Sequence, residues 1–255
     1  MMRHQQVWLN GMDLASVHPS VLLQHINEGE LKLTQRWNDR PGGGQMLLSN
    51  QYQQKEILIE FAIRDGRDYD RRLEAFTAVC QWAAGGGWLE VSSRPGQRIY
   101  VALSQMPTIG RLREWTETMS VHFLAGWYPF WEAVEPTMAT GSGESGTISI
   151  SAPGTAQSCL EAKITSSSGL TSIKLANDAT GTEIIIARST PITAGKEISI
   201  AYDDRHLMKI TADGTELMRW RTGSDDILLN PGANTIRYEL SASGTVQLIA
   251  GGAWM

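Results

Sequence analysis

His122-Phe123-Leu124-Ala125-Gly126-Trp127-Tyr128-Pro129-Phe130-Trp131 ends one kind of sequence, and Thr137-Met138-Ala139-Thr140-Gly141-Ser142-Gly143-Glu144-Ser145-Gly146 precedes another. The first run closes a pattern of alternating strands in a cluster of aromatic residues. The second holds only small residues apart from Met138 and Glu144, and its glycines and serines read as a flexible linker. The division that follows is an N-terminal domain over 1–136, a linker over 137–146 and a C-terminal domain over 147–255.

Upstream of the aromatic run, apolar residues alternate with polar ones in three segments. Ile57, Ile59, Phe61 and Ile63 form one set, Ile99, Val101 and Leu103 a second, and Met119, Val121 and Phe123 a third. Period two is the mark of half-buried antiparallel strands. Ser93-Arg94-Pro95-Gly96 supplies a hairpin turn. One segment breaks the period. From Arg67 to Ala84, the residues Tyr69, Leu73, Phe76, Val79, Cys80 and Ala83 recur at spacings of three and four, which predicts a helix with these residues as its apolar stripe. Asp65 or Asp68 caps its start and Gly85-Gly86-Gly87 stops it.

Downstream, short apolar alternations recur roughly every 8–12 residues with turn signals between them, as in a sandwich of about eight strands. Ile148/Ile150, Leu160/Ala162/Ile164, Ile173/Leu175, Ile198/Ile200, Ile236/Tyr238/Leu240 and Val246/Leu248 supply inward positions, and Asn177-Asp178, Asp213-Gly214 and Pro231-Gly232 supply turns. The fold class is mainly β: an N-terminal β-sandwich-like domain with one α-helix and a β-hairpin, then a C-terminal β-sandwich.

Composition narrows the function. The chain has 255 residues and a net charge of −5, too small for bulk attraction to nucleic acid or acidic lipid. Up to Thr140 it carries 11 Arg, 2 Lys and 15 carboxylates; beyond, 5 Arg, 4 Lys and 12 carboxylates. Arginine is enriched and lysine depleted at protein interfaces, so the first part leans toward assembly. Two cysteines, Cys80 and Cys159, fall in different domains, which predicts free thiols and folding in a reducing compartment. No apolar run is long enough for a membrane span, and the N-terminus carries no signal-peptide pattern.

Chemistry-bearing patterns fail on inspection. None of His4, His18, His25, His122 and His206 pairs with another His or Cys at metal-ligand spacing. Asp65-Gly66-Arg67-Asp68-Tyr69-Asp70 has carboxylates at the wrong offsets for a calcium loop and reads as helix capping. Gly141–Gly146 lacks the lysine and following helix of a phosphate loop. Adjacent Asp203 and Asp204 point to opposite faces of a strand, so they cannot flank a sugar; with Arg205 and His206 they read as a polar bend. No nucleophile elbow occurs. The expectation is a protein without catalytic, metal or cofactor residues. Trp is abundant, with nine residues, and mostly core. Trp37 is the exception: it sits in the polar, glycine-rich stretch Arg36, Trp37, Asn38, Asp39, Arg40, Pro41, Gly42, Gly43, Gly44, which is the candidate partner-contact loop within Thr34–Asn50.

In layout the chain resembles the siphophage distal tail protein family, often called Dit. The resemblance rests on Tyr69-Asp70-Arg71-Arg72-Leu73, Trp88-Leu89-Glu90-Val91, Arg98-Ile99-Tyr100-Val101-Ala102-Leu103 and the run His122–Trp131. In the second domain it rests on Ile198-Ser199-Ile200-Ala201-Tyr202-Asp203-Asp204 and Leu229-Asn230-Pro231-Gly232-Ala233-Asn234-Thr235-Ile236. It spans nearly the whole chain. It implies a structural protein of the virion, folded in the host cytoplasm, whose N-terminal domains form a homohexameric ring at the distal end of the tail. The implied partners are the tail tube protein, the tail-tip hub or tail-associated protein, the tape measure protein and receptor-binding proteins, with DNA only passing through the channel. A strongly basic lumen is not expected, because it would retard that passage. The second domain is implied to be galectin-like or carbohydrate-module-like. Sugar binding does not follow: His206 is followed by Leu207-Met208-Lys209 and Trp220 by Arg221-Thr222-Gly223, so neither motif of a galectin sugar site is present. The competing expectation is a carbohydrate-binding or receptor-binding tail-tip module.

Overall fold

The computed structural model describes residues 5–39, 45–64, 68–107, 118–203 and 206–255. The chain divides into two compact units, Met1–Phe130 and Trp131–Met255.

The first unit contains β1 (Val7–Leu9), β2 (Met12–Asp13), α1 (Leu14–Val17), β3 (Val21–Glu28), β4 (Leu33–Asp39), β5 (Gln45–Tyr52), β6 (Lys55–Ile63), α2 (Tyr69–Ala83), β7 (Gly87–Val91), β8 (Gln97–Gln105) and β9 (Thr118–Ala125). Its main sheet is antiparallel throughout, in the order β2-β1-β7-β8-β9-β6-β3. The alternation seen in the sequence sets the buried face: Ile57, Ile59, Phe61, Ile99, Val101, Val121 and Phe123 are buried. β4 and β5 stand apart as a two-stranded sheet of their own.

Helix α2 forms where expected, with Asp68 as its cap: the Asp68 carboxylate accepts from the backbone N–H of Asp70 (3.1 Å) and of Arg71 (3.3 Å). Its buried face differs from the expected stripe. Ala75, Val79, Trp82 and Ala83 are buried, whereas Tyr69 and Leu73 are 55% and 40% exposed. Trp82 turns the helix. Its indole N–H donates to the Met12 carbonyl (2.9 Å) and its ring meets Phe123 edge-on. Burying the largest ring on the helix removes more apolar area than burying Tyr69 and Leu73 would.

The second unit contains β10 (Glu132–Ala133), β11 (Thr137–Ala152), β12 (Ser158–Thr165), β13 (Leu170–Asn177), β14 (Thr182–Ile192), β15 (Ile198–Tyr202), β16 (Met208–Ala212), β17 (Thr215–Glu216), a 3-10 turn (Met218–Trp220), β18 (Arg221–Gly223), β19 (Leu228–Leu229) and β20 (Gly232–Ala250). β20 organises it. On one side it pairs with β11 along its length. On the other it pairs with β13 through Ile236–Leu240 and then with β12 through Thr245–Ala250. Changing partner midway lets these strands surround a single core rich in isoleucine and leucine. The Leu229–Ile236 motif is a turn closed by amides. Asn234 accepts from the Asn230 N–H (2.9 Å) and donates to the carbonyls of Asn230 (2.7 Å) and Gly232 (2.9 Å), while buried Asn177 donates to the Leu228 carbonyl (2.7 Å).

The linker expected over 137–146 is not a linker. Those residues are the first part of β11, paired with β20 apart from a bulge between Gly143 and Ser145. Their glycines serve packing. A Cβ on Gly141 would lie 2.7 Å from the Ile148 side chain and 3.2 Å from the Tyr238 ring, and one on Gly146 would lie 3.0 Å from the Tyr238 hydroxyl. Buried Tyr238 therefore requires bare backbone beside it. Gly141→Ala is expected to lower stability by about 1–3 kcal/mol in urea unfolding, as overpacking does. A flexible tether would show the opposite sign, a gain of roughly 0.5 kcal/mol from the stiffer unfolded chain.

Candidate assembly surface

The hairpin β4–β5 emerges between the end of β3 and the start of β6, so its root is set by the chain on both sides. Gly29 N–H donates to the Glu56 carbonyl (2.8 Å) and Gln53 N–H to the Lys32 carbonyl (2.8 Å). Gln53 also donates through its side chain to the Thr34 hydroxyl (2.6 Å). Gly29 is required at this point, because a Cβ there would fall 2.5 Å from the Glu56 carbonyl oxygen. Beside the root, Gly29, Lys32, Tyr52, Gln54, Glu56 and Gly126 line an open polar cleft of about 550 Å³. Tyr52 packs edge-on against Phe130 at 4.9 Å.

A charged cluster anchors the same root. Glu28, the last residue of β3, receives Arg94 Nε at 2.6 Å and Lys55 Nζ at 3.9 Å, and lies 3.3 Å from the Ser93 hydroxyl. Lys55, the first residue of β6, is buried. Burial lowers its pKa from the ordinary lysine value; Glu28 opposes that shift and Arg94 adds to it.

Every described side chain of the hairpin is exposed. Leu33, Trp37 and Tyr52 are 42%, 48% and 46% exposed, and Thr34, Gln35, Arg36 and Asn38 are exposed as well. Arg36 and Trp37, expected in a loop, lie on strand β4, where the register with β5 shifts between them. The correction has a simple cause. The described side chains of β4 are all exposed, so no apolar alternation marks it as a strand, and its residue types read as a loop. Arg40, Pro41, Gly42, Gly43 and Gly44 lie outside the described residues. Further exposed apolar residues of this unit include Trp127 and, against the expected buried stripe, the Tyr69/Leu73 pair on α2. Tyr69 and Leu73 are four apart and so share one helix face.

The remaining candidates resolve into structure. Asp68 caps α2, while Asp65, Gly66 and Arg67 lie outside the described residues. His122 Nδ1 lies 2.9 Å from Glu56 Oε1 and His122 Nε2 lies 3.2 Å from the Ser120 hydroxyl. In the second unit Asp203 closes a turn, accepting from the Leu207 N–H (3.0 Å) and pairing with Lys209 (3.2 Å); His206 Nε2 lies 2.7 Å from Glu132 Oε1. Asp204 and Arg205 lie outside the described residues. Burial pushes the Cys159 thiol up to about 12, and it raises Cys80 as well, so neither is an activated nucleophile. Among the described residues no group of three His, Cys, Asp or Glu side chains could hold a metal ion, and no helix is long and apolar enough to cross a membrane.

Comparison with known proteins gives a fold. No protein-family model matches the chain, and no curated protein does. Solved structures do. The Dit (gp 19.1) protein of phage SPP1, described as a paradigm of the hub adsorption apparatus in phages infecting Gram-positive hosts, is 12% identical. That match has a TM-score of 0.68 and covers 97% of this chain and 99% of that one. Chains of the phage P2 baseplate in its activated conformation, with Ca and with Sr, match at 12% identity and a TM-score of 0.50, covering 97% of this chain and 98% of theirs. The chain thus has the fold of the phage Dit hub protein over nearly its whole length.

The root cluster yields a paired test. Glu28→Gln removes the carboxylate shared by Arg94 and Lys55 and is expected to cost about 3 kcal/mol in urea unfolding at neutral pH. Lys55→Met keeps the Arg94–Glu28 pair and removes a buried charge, so it is expected to be neutral or to stabilise by about 1 kcal/mol. The sign follows from the lowered lysine pKa. The charged form is disfavoured in the fold, so its cost is present below that pKa and is relieved as pH rises through it toward the ordinary lysine value. The advantage of Lys55→Met is therefore largest at neutral pH and shrinks in alkali.

Proposed function

We propose that this chain is a structural distal tail protein of a long-tailed phage or a phage-derived tail, and not an enzyme. In this reading six copies close into a ring through their first units. The ring joins the tail tube protein above to the tail-tip hub below, in contact with the tape measure protein and carrying receptor-binding proteins, and DNA passes through its channel. The protein folds in the host cytoplasm and ends in the virion. The observation that carries the reading is the match to SPP1 Dit along the full length of both chains. Its physical support is the first unit's exposed apolar side chains, among them Leu33 and Trp37 on the ribbon, Trp127, and Tyr69 with Leu73 on α2. Ring closure needs two different patches on each subunit, one meeting the other on the next copy. The hairpin, with Arg36 and Trp37, supplies one patch together with the stretch Arg40, Pro41, Gly42, Gly43 and Gly44, which lies outside the described residues, and the α2 ridge of Tyr69 and Leu73 supplies a second.

Native mass spectrometry of the concentrated chain is expected to show a species of six copies. A dimer or trimer as the largest species would reject the ring. Trp37→Asp is expected to shift the distribution to monomers with an unchanged melting temperature, since Trp37 contributes no core. Six-copy rings formed equally well by Trp37→Asp would remove the hairpin from the interface.

A further inference from the structure

Trp220 of the second unit carries two guanidiniums over its ring. Arg188 Cζ, on β14, lies 4.1 Å from the centroid of the indole, and Arg219 Cζ, on the 3-10 turn, lies 3.9 Å from it. Both guanidiniums thus stand over one indole at cation–π distance. Trp220 in turn packs against the core, which fixes the stack in place.

What sets this pair apart is the company the other cations keep. In the second unit Lys163 pairs with Glu197, Lys174 with Glu183, Lys196 with Asp213, Lys209 with Asp203, Arg221 with Asp225 and Arg237 with Asp178. Among the described residues of that unit, Arg188 and Arg219 are the two cations with no carboxylate within 4.0 Å. Carboxylates outnumber cations beyond Thr140, 12 to 9, so scarcity of acids does not explain the omission. Arg188 Nε is also buried with no acceptor.

From this arrangement we infer that Arg188, Trp220 and Arg219 form a binding site for an acidic peptide segment of a partner protein. Two guanidinium forks held on one rigid indole suit two successive carboxylates, each taken bidentately. A neutral sugar is a poor fit, because the ring a pyranose would stack on is already covered by two guanidiniums and by the core. Arginine and tryptophan are also the side chains that dominate binding energy at protein interfaces. The inference concerns the second unit and does not depend on ring formation.

The test uses the full chain and a fluorescein-labelled peptide of six glutamates, read by anisotropy at low salt. The wild type is expected to bind it, with affinity falling in 0.5 M salt, and not to bind a six-glutamine peptide. Arg219→Gln, at an exposed position, is expected to weaken binding at least ten-fold, whereas Lys163→Gln leaves it unchanged. A second measurement needs no variant: the glutamate peptide is expected to slow phenylglyoxal modification of Arg188 and Arg219 but not of Arg237. Absence of binding, equal affinity in Arg219→Gln, or no protection overturns the inference. Binding of inorganic polyphosphate through Arg219 without binding of the peptide also overturns it, in favour of a phosphate polymer.

Discussion

A two-stranded ribbon cannot bury both of its own faces, and one standing alone in water is marginal. β4 and β5 are such a ribbon, with Leu33, Trp37 and Tyr52 open to solvent and, among the described residues, no third strand beside them. The first unit nevertheless holds the ribbon's base firmly. Glu28 with Arg94 and Lys55, the close approach of Gly29 to Glu56, and Tyr52 against Phe130 fix where it leaves the sheet. A fixed root under a ribbon whose described side chains are exposed makes sense when further packing comes from another chain. Most of the cost of orienting the ribbon is then met before any partner arrives.

The two units manage apolar surface differently. In the second, β20 changes partner midway, β11 follows it, and glycines make room for Tyr238, so a large core closes within one chain. Its cations are mostly neutralised in local pairs, and the exceptions gather around Trp220. In the first, a Trp-anchored helix hides Trp82 and leaves Tyr69 and Leu73 outside. The first unit thus leaves Trp37, Tyr52, Tyr69 and Trp127 exposed, aromatic side chains of a kind the second does not expose, while the second carries a cationic stack.

Much of this was legible in the sequence because period-two alternation is local. Ile57 to Ile63 and Met119 to Phe123 announce their strands and their buried faces, and Asp68 announces the start of α2. Where composition and geometry part, the reading fails. The glycines of 137–146 look like a flexible tether, yet their role is set by Tyr238, far along the chain in β20. The α2 stripe is misplaced because Trp82 finds Phe123 and the Met12 carbonyl, which no local window contains. Glu28 meets Arg94 across 66 residues, so the root of the hairpin has no sequence signature. Arg36 and Trp37 stand out by residue type, whereas the strand that carries them has no buried described side chain to announce it. The Leu229–Ile236 motif was recognised by likeness, and its physical content, the Asn234 and Asn177 amide knot, emerged only in the fold.

Hydrogen exchange along β4 and β5, compared between dilute and assembled protein, reaches the central claim most directly. Amides on the outer edges of a ribbon without neighbours exchange quickly, because no backbone acceptor holds them. If the ribbon is completed by another chain, amides of Leu33–Asp39 and Gln45–Tyr52 exchange fast in the dilute chain and slow at least a hundred-fold on assembly, while the core strands β6 and β9 are slow in both. Equal protection of the ribbon in both states, or fast exchange that persists in the assembly, would contradict the account.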